Sequence, residues 1–372
     1  MKSVIIMIKP ASSLCDMRCK YCFYADVASV RQVKSYGVMT EETLEGMMLM
    51  LGRELLAGDQ LQFTFQGGEP TLAGLPFFRK FVTRASALSG VKISYALQTN
   101  GLHIDEEWCG FLKKNNFLVG ISLDLLPEAH DDVRVDSCGL GTYERVERSI
   151  EQMRRAGVDF NVLCTLTSRI AMEPRAVYEN IARLGIEYTQ FTPCLGELDG
   201  DASEHALTPK LFASFYTELF ALWLEDYNRG VRRSIKLFDD IVNQMILARP
   251  TGCGMDGKCR AQLVVEADGS VYPCDFYCLD EYKLGSICEK TVTELLKSDK
   301  VRAFVARSHR QPKLCSTCVY GGFCGGNCKR MQKEMCCDAE ADSCGYKDFL
   351  DACGETLFSL AQAIKRRFIE GK

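Results

Sequence analysis

Apolar residues in the first half of the chain fall into short runs separated by longer stretches of helical spacing. Six runs rich in β-branched and aromatic residues, at 4–8, 61–66, 91–98, 118–123, 160–165 and 188–192, predict strands. Between them, apolar positions recur every three to four residues over 41–56, 75–88, 106–114, 143–156 and 176–184, which predicts helices. Thr40 ahead of Thr43 and Glu45, and Asp105 ahead of Glu106 and Glu107, supply polar and acidic helix starts. Strands alternating with helices imply an α/β fold with a parallel sheet and right-handed crossovers, either doubly wound or a complete or partial barrel. In each case the reactive side chains belong at the C-terminal ends of strands.

The alternation stops after residue 205. Helical patterns follow at 209–228 and 235–247, then a region dense in cysteine and glycine runs to residue 345. Within it, 261–266 and 270–273 read as hairpin strands joined by Ala267-Asp268-Gly269. A last amphipathic helix is expected over 346–368. The chain therefore divides into 1–205, a helical connector at 206–250, and a cysteine-rich part at 251–372.

Charge excludes some partners. A net charge of −4 gives no basic field to attract nucleic acid or an anionic membrane surface. Cysteine content is the informative quantity, at 20 residues. A secreted disulfide protein needs an export signal, and the apolar run 4–8 is too short for one. No later run approaches about 20 uninterrupted apolar residues, so no membrane span is expected. A cytoplasmic, reducing setting follows, where clustered thiols bind metal rather than pair.

Cys15, Cys19 and Cys22 form C-x3-C-x2-C after the first strand. Three thiolates can hold three irons of a cubane cluster, whereas iron–sulfur proteins normally supply four. One iron stays open, and an open metal position is a reactive one. Zinc is the rival reading, but it wants a fourth ligand, and His103, His130, His205 and His309 all lie outside the loop. The stretch Cys15-Asp-Met-Arg-Cys19-Lys-Tyr-Cys22-Phe-Tyr24 resembles the signature of the radical S-adenosylmethionine (SAM) superfamily. The resemblance implies a partial (β/α)6 barrel in which the open iron chelates SAM and one electron releases a 5′-deoxyadenosyl radical. It also implies that Gly67, Gly68, Glu69 and Pro70, after strand two, form the motif that binds the methionine amino group. Ser122 and Asp124 end strand four and belong by resemblance to the SAM-binding set; Ser122 and Arg134 would bind the SAM carboxylate, for which Arg offers the planar donor fork. Tyr21 and Leu195 match adenosine contacts. Leu125 departs from the family, which often has glycine there, and this puts the local turn in question.

A second array contains Cys253, Cys259 and Cys274, then Cys315, Cys318, Cys324, Cys328 and Cys344. Eight thiolates equal two complete four-cysteine sites. The gaps do not fit paired C-x2-C zinc ribbons. The array resembles the SPASM extension, a small cysteine-rich domain that carries two auxiliary 4Fe–4S clusters, for three clusters in all. By that resemblance Cys253, Cys259, Cys274 and Cys328 bind one, and Cys315, Cys318, Cys324 and Cys344 the other. Cys109, Cys138, Cys164, Cys194, Cys278, Cys288, Cys336, Cys337 and Cys353 are left, and free cysteine is commonly a small buried hydrophobe. Cys278, Cys336 and Cys337 are the closest of these to the ligands in sequence.

Within SPASM proteins the chain is similar to the anaerobic sulfatase-maturating enzymes. The stretches that carry this are Ile8-Lys-Pro-Ala-Ser-Ser13, Lys34-Ser-Tyr-Gly37, the run from Phe65 to Gly74, and the run from Val264 to Tyr277. The resemblance implies oxidation of a Cys or Ser in an unfolded sulfatase to Cα-formylglycine, with a flavodoxin or ferredoxin as reductant. Asp275, directly after a cluster ligand, is the candidate general base. Tyr24, Gln66 and Gln98 are candidates for contact with the substrate peptide. A thioether- or crosslink-forming SPASM maturase is the alternative within the class. An iron–sulfur electron carrier is the alternative outside it, and a carrier needs no vacant iron.

Overall fold

The structure, a computed structural model, describes residues 1–198, 203–306, 313–336 and 343–369. Among them the strands are β1 (Ser3–Ile8), β2 (Gln60–Phe65), β3 (Lys92–Thr99), β4 (Phe117–Ser122), β5 (Asp159–Leu166), β6 (Tyr188–Pro193), β7 (Ser234–Ile235), β8 (Leu263–Val265), β9 (Ser270–Tyr272) and β10 (Gly285–Ser286). The chain forms two compact units.

The first unit comprises Met1–Leu123, Asp131–Phe160 and Ala261–Arg307. Here β1, β2, β3 and β4 run parallel in sequence order, as the apolar runs predict. The 261–273 hairpin also forms, and β8 then pairs parallel with β1, a placement that spacing could not reveal. Thr40 accepts a hydrogen bond from Thr43 N, and Asp105 accepts one from Trp108 N, so both polar helix starts act as caps. Helices Leu75–Ala85 and Glu106–Lys114 turn their apolar faces onto the sheet. Phe65 meets Phe78 and Phe81 with ring centroids 4.8 Å apart, and Trp108 lies 5.2 Å from Phe78. These edge-on pairs make an aromatic core beneath β2.

The second unit comprises Asp124–His130, Asn161–Arg260 and Ser308–Lys372. It holds most of β5, the parallel pairing of β5, β6 and β7, and the long helices Pro209–Asn228, Lys236–Leu247 and Gly345–Ile369. Phe238 lies between Phe220 (5.2 Å) and Phe349 (6.1 Å), which fastens the last helix to the two before it. The parallel strands, their helices and a cysteine-rich C-terminal region agree with the α/β class expected.

Candidate active site

Three strand ends in the first unit coincide. Ile8 of β1 pairs with Phe65 of β2 and with Val265 of β8. The next residues, Lys9, Gln66 and Glu266, therefore leave the sheet side by side. Lys9 N donates to Val265 O at 2.8 Å, and Gln66 N donates to Ile8 O at 2.9 Å. The Glu266 carboxylate is fully buried and takes Lys9 Nζ at 2.8 Å and Arg31 Nη1 at 2.6 Å on one oxygen. Buried charges persist only when paired in this way.

Above this triad sit three of the sequence-derived candidates. Tyr24, on the helix Phe23–Ser29 that starts right after Cys22, donates its hydroxyl to Asp275 Oδ2 at 2.6 Å. Gln66 Nε2 lies 2.6 Å from the Tyr24 hydroxyl and 3.2 Å from the same Asp275 oxygen. Lys9 Nζ stands 5.2 Å from the Tyr24 ring centroid. Asp275 is 7% exposed, and its other oxygen, Oδ1, is buried with no hydrogen-bond partner. Burial pushes its carboxyl above the usual range, against the pull of the Lys9 charge and the Tyr24 hydrogen bond. A carboxylate with one oxygen clamped, one unpartnered and a raised proton affinity is equipped to accept a proton.

The three-cysteine loop is held from two sides. Arg18 N donates to Val135 O at 2.7 Å and Lys20 N to Val133 O at 2.9 Å, laying the loop along the segment that carries Arg134. Arg134 Nη1 in turn donates to the Tyr21 hydroxyl at 3.0 Å, so these two candidates meet. On the other side Glu69 N donates to Leu14 O at 2.7 Å. Gly68 has φ +51°, and a Cβ there would lie 2.3 Å from Leu14 O. Its close approach is thus to this chain's own loop. The Glu69 carboxylate is buried: Oε1 accepts from Thr71 N, Thr71 Oγ1 and Thr99 Oγ1, and Oε2 accepts from Asn100 N at 2.7 Å. Oε2 keeps room for one further donor. Pro70 opens the short turn after it. Gln98 Nε2 donates to Ser122 Oγ at 2.9 Å, joining the ends of β3 and β4.

Asp124 and Leu195 belong to the second unit. The Asp124 carboxylate is fully buried and accepts from Thr165 N at 2.8 Å, a tether between strand ends. Leu125 is also buried, and its carbonyl takes Asn180 Nδ2 at 2.6 Å, so a side chain fits where glycine was the family's habit. Leu195 is buried, and Gly196 beside it is gripped by Arg330 Nη2 on its carbonyl and Glu334 on its N–H.

The candidate cluster cysteines in this unit fall in two places. The loop carrying Cys253 and Cys259 packs on the loop before Cys328. Gly257, at φ +71°, would place a Cβ 2.0 Å from Gly325 O, so only glycine fits there. Cys274, the partner that the resemblance assigns to them, lies in the first unit just before Asp275. Elsewhere Cys315, Cys318, Cys324 and Cys344 line one cavity, with Cys336 as a fifth thiol. Among the described residues, no three His, Cys, Asp or Glu side chains are grouped to hold a single metal ion. A cubane distributes its thiolates over different irons, so a ring of sulfurs around a cavity suits it. At the first loop, burial pushes the Cys15 thiol up to about 12, so a thiolate there needs a bound cation. Both observations fit iron–sulfur groups.

The chain matches the radical SAM superfamily over residues 10–181 and an iron–sulfur cluster-binding domain, SPASM, over 257–319. It is 40% identical to a cysteine-type anaerobic sulfatase-maturating enzyme of Clostridium perfringens, over 98% of this chain and 100% of that one. The chain belongs to the anaerobic sulfatase-maturating enzymes. A serine-type member from Bacteroides thetaiotaomicron is 27% identical over 91% of this chain and 86% of that one. The solved structure of native anSMEcpe with bound AdoMet and the Cp18Cys peptide superposes with a TM-score of 0.88 at 38% identity, covering 98% of this chain and all of that one.

Sequence reasoning overlooked several residues of this family member's site. Lys9, Arg31 and Glu266 carry no motif of their own. Lys9 and Glu266 lie inside stretches that resemble the family, and register across β1, β2 and β8 is the signal that would have singled them out. Cys278 is buried in the first unit, 3.6 Å from Cys274 O, and does not join the ring of thiols. Cys336 does join it, and Cys337 lies outside the described residues.

Proposed function

We infer that this enzyme oxidises a cysteine side chain in an unfolded sulfatase, within a Cys-x-Pro-x-Arg type sequence, to Cα-formylglycine. Asp275 carries the inference, through its clamped Oδ2 and its buried, unpartnered Oδ1 at the C-terminal ends of three aligned strands. Cys15, Cys19 and Cys22 would hold the SAM-binding cluster, with Gly67, Gly68, Glu69, Pro70, Ser122, Asp124, Arg134, Tyr21 and Leu195 around SAM. Cys253, Cys259, Cys274 and Cys328 would hold one auxiliary cluster, and Cys315, Cys318, Cys324 and Cys344 the other. When bound, these groups supply a 5′-deoxyadenosyl radical to remove the substrate's β-hydrogen and an acceptor for the electron that follows.

The protein's own part is proton chemistry and positioning. Asp275 Oδ1 takes the proton from the substrate heteroatom as the carbon–sulfur double bond forms. Tyr24 and Gln66 fix the carboxylate and, with Gln98, border the peptide. The thioaldehyde then hydrolyses to the aldehyde. Preference for Cys over Ser is supported by the Clostridium relatives at 39–40% identity being cysteine-type, against 27–28% for the serine-type ones. A flavodoxin or ferredoxin supplies the electron that starts each turnover, and the reduced thiols suit the cytoplasm. No helix among the described residues is long and apolar enough to cross a membrane. The division at 1–205, 206–250 and 251–372 is retained as a domain proposal.

The test is anaerobic reconstitution followed by incubation with SAM, dithionite and a Cys-x-Pro-x-Arg peptide. A mass loss matching formylglycine, with one 5′-deoxyadenosine per product, is the expected result. 5′-Deoxyadenosine without peptide modification would overturn the substrate assignment.

A further inference from the structure

The second auxiliary site holds one thiol more than a four-cysteine cluster requires. Cys336 lines the cavity together with Cys315, Cys318, Cys324 and Cys344. Two backbone bonds fix its place, and one of them reaches the Cys344 segment. Cys336 N donates to Gln332 O at 2.9 Å, closing the short helix Gln332–Met335, and Gly345 N donates to Cys336 O at 2.7 Å. The second bond ties the residue after Cys344 to Cys336 itself. Cys336 is 1% exposed, and its sulfur is approached by Asn327 Nδ2 at 3.6 Å. A structural free cysteine sits among apolar side chains. This one sits in a ring of thiols with an amide donor on its sulfur, the kind of hydrogen bond that metal-bound thiolates accept.

We propose that Cys336 and Cys344 share one ligand position of the second auxiliary cluster, so that either thiolate completes the set of Cys315, Cys318 and Cys324. The proposal rests on the cluster assignment made above. Exchange breaks one iron–sulfur bond and forms another, and the proton of the arriving thiol passes to the departing thiolate. The iron changes neither charge nor oxidation state.

Four variants of the full chain test it: Cys336→Ala, Cys344→Ala, the double variant, and Cys318→Ala as a position with no substitute. Each is reconstituted anaerobically, and iron and acid-labile sulfide are counted per chain, with electron paramagnetic resonance of the reduced state. Both single variants are expected to keep the parent's iron, with resonance spectra that differ from each other. The double variant and Cys318→Ala should each lose about four irons. Loss of about four irons in Cys344→Ala alone, or in Cys336→Ala alone, would make one thiol the sole ligand and overturn the proposal. Full iron in the double variant would overturn it too. Full iron in Cys318→Ala would show that the underlying cluster assignment had failed. Circular dichroism separates lost iron from lost fold, and serine replaces alanine in any variant that does not fold.

Discussion

Replacing Asp275 with asparagine removes the proposed base while keeping the shape of the site. Asparagine retains one carbonyl oxygen, which can still accept from the Tyr24 hydroxyl and Gln66 Nε2 where Oδ2 does now. Its amide nitrogen then stands where Oδ1 stood, and that atom offers no lone pair to a substrate proton. General-base catalysis is worth about 10²- to 10⁴-fold, or roughly 3 to 5 kcal/mol on the barrier. Formylglycine formation should fall by that factor at unchanged iron content. Stability should move differently. The folded-state pKa of Asp275 lies above its unfolded value, so its contribution to stability is present at low pH and lost as pH rises through the folded value. At neutral pH the charge therefore costs stability, and Asp275→Asn should melt at the same temperature or higher. The parent's rate should also fall on the acid side with an inflection above the ordinary carboxylate range, and the variant should lose that limb. The assay is mass spectrometry of the peptide with 5′-deoxyadenosine counted in parallel. A variant that turns over within about threefold of the parent, at matched iron, would refute the role of Asp275.

Other perturbations follow from the same geometry. Lys9→Met leaves Glu266 with Arg31 alone and should cost about 3 kcal/mol in equilibrium denaturation, the low end for breaking a buried ion pair because one partner survives. Glu266 is held below its usual range, although burial opposes this, so the parent's triad loses stability as pH falls through that low value, and Lys9→Met should show a shallower acid loss. The same variant removes a charge that lowers the Asp275 pKa, so the acid limb of the rate should move to higher pH. Tyr24→Phe deletes the 2.6 Å hydrogen bond to Asp275 and should slow turnover about tenfold with iron unchanged, the weakening expected of one charged hydrogen bond. Gly68→Ala sets a Cβ 2.3 Å from Leu14 O at a positive φ; it should cost more than about 1 kcal/mol and lower iron incorporation at the first loop, read by denaturation and iron assay.

The parallel strands were legible because each apolar run is bounded by polar turns, and every one of the six expected strands in the first half has its counterpart among β1 to β6. Strands β7 and β10 have two residues each, too few for any periodicity to register. The pairing of β8 with β1 was hidden for another reason. A hairpin pattern states how two strands meet each other, while the choice of a third strand depends on contacts more than 250 residues apart, such as Lys9 with Glu266. Motif residues Cys15, Cys19, Cys22 and Glu69 could be read singly because their chemistry needs a fixed local spacing. Lys9 and Arg31 could not, since an isolated lysine or arginine in sequence looks the same on a surface or in a core. Asp124 stands between the two cases: its place at a strand end marks it as a candidate, while the hydrogen bond its carboxylate accepts from Thr165 N has no local sequence signal.

The triad explains why a carboxylate can be kept at Asp275 at all. Two carboxylates buried side by side cannot both ionise without compensation. Asp275 and Glu266 raise each other's cost, and the Asp275 pKa carries a contribution from Glu266 in that direction. Lys9 and Arg31 supply two positive charges against those two negative ones, yet both make their direct contacts with Glu266. Asp275 thus receives electrostatic support from Lys9 without a salt bridge to it, and Tyr24 and Gln66 satisfy only one of its oxygens. Had Lys9 paired with Asp275 directly, the carboxylate would be stabilised as an anion and would make a poor proton acceptor. Glu266 holds the lysine back, so the base stays available and basic enough to act. On this reasoning Glu266→Gln should release Lys9 toward Asp275, lower the Asp275 pKa, and slow the proton step even though the altered residue is fully buried. The decisive reading is the acid limb of the rate profile, which should move to lower pH in Glu266→Gln and to higher pH in Lys9→Met; movement in the same direction in both would show that the two residues do not act on Asp275 through charge.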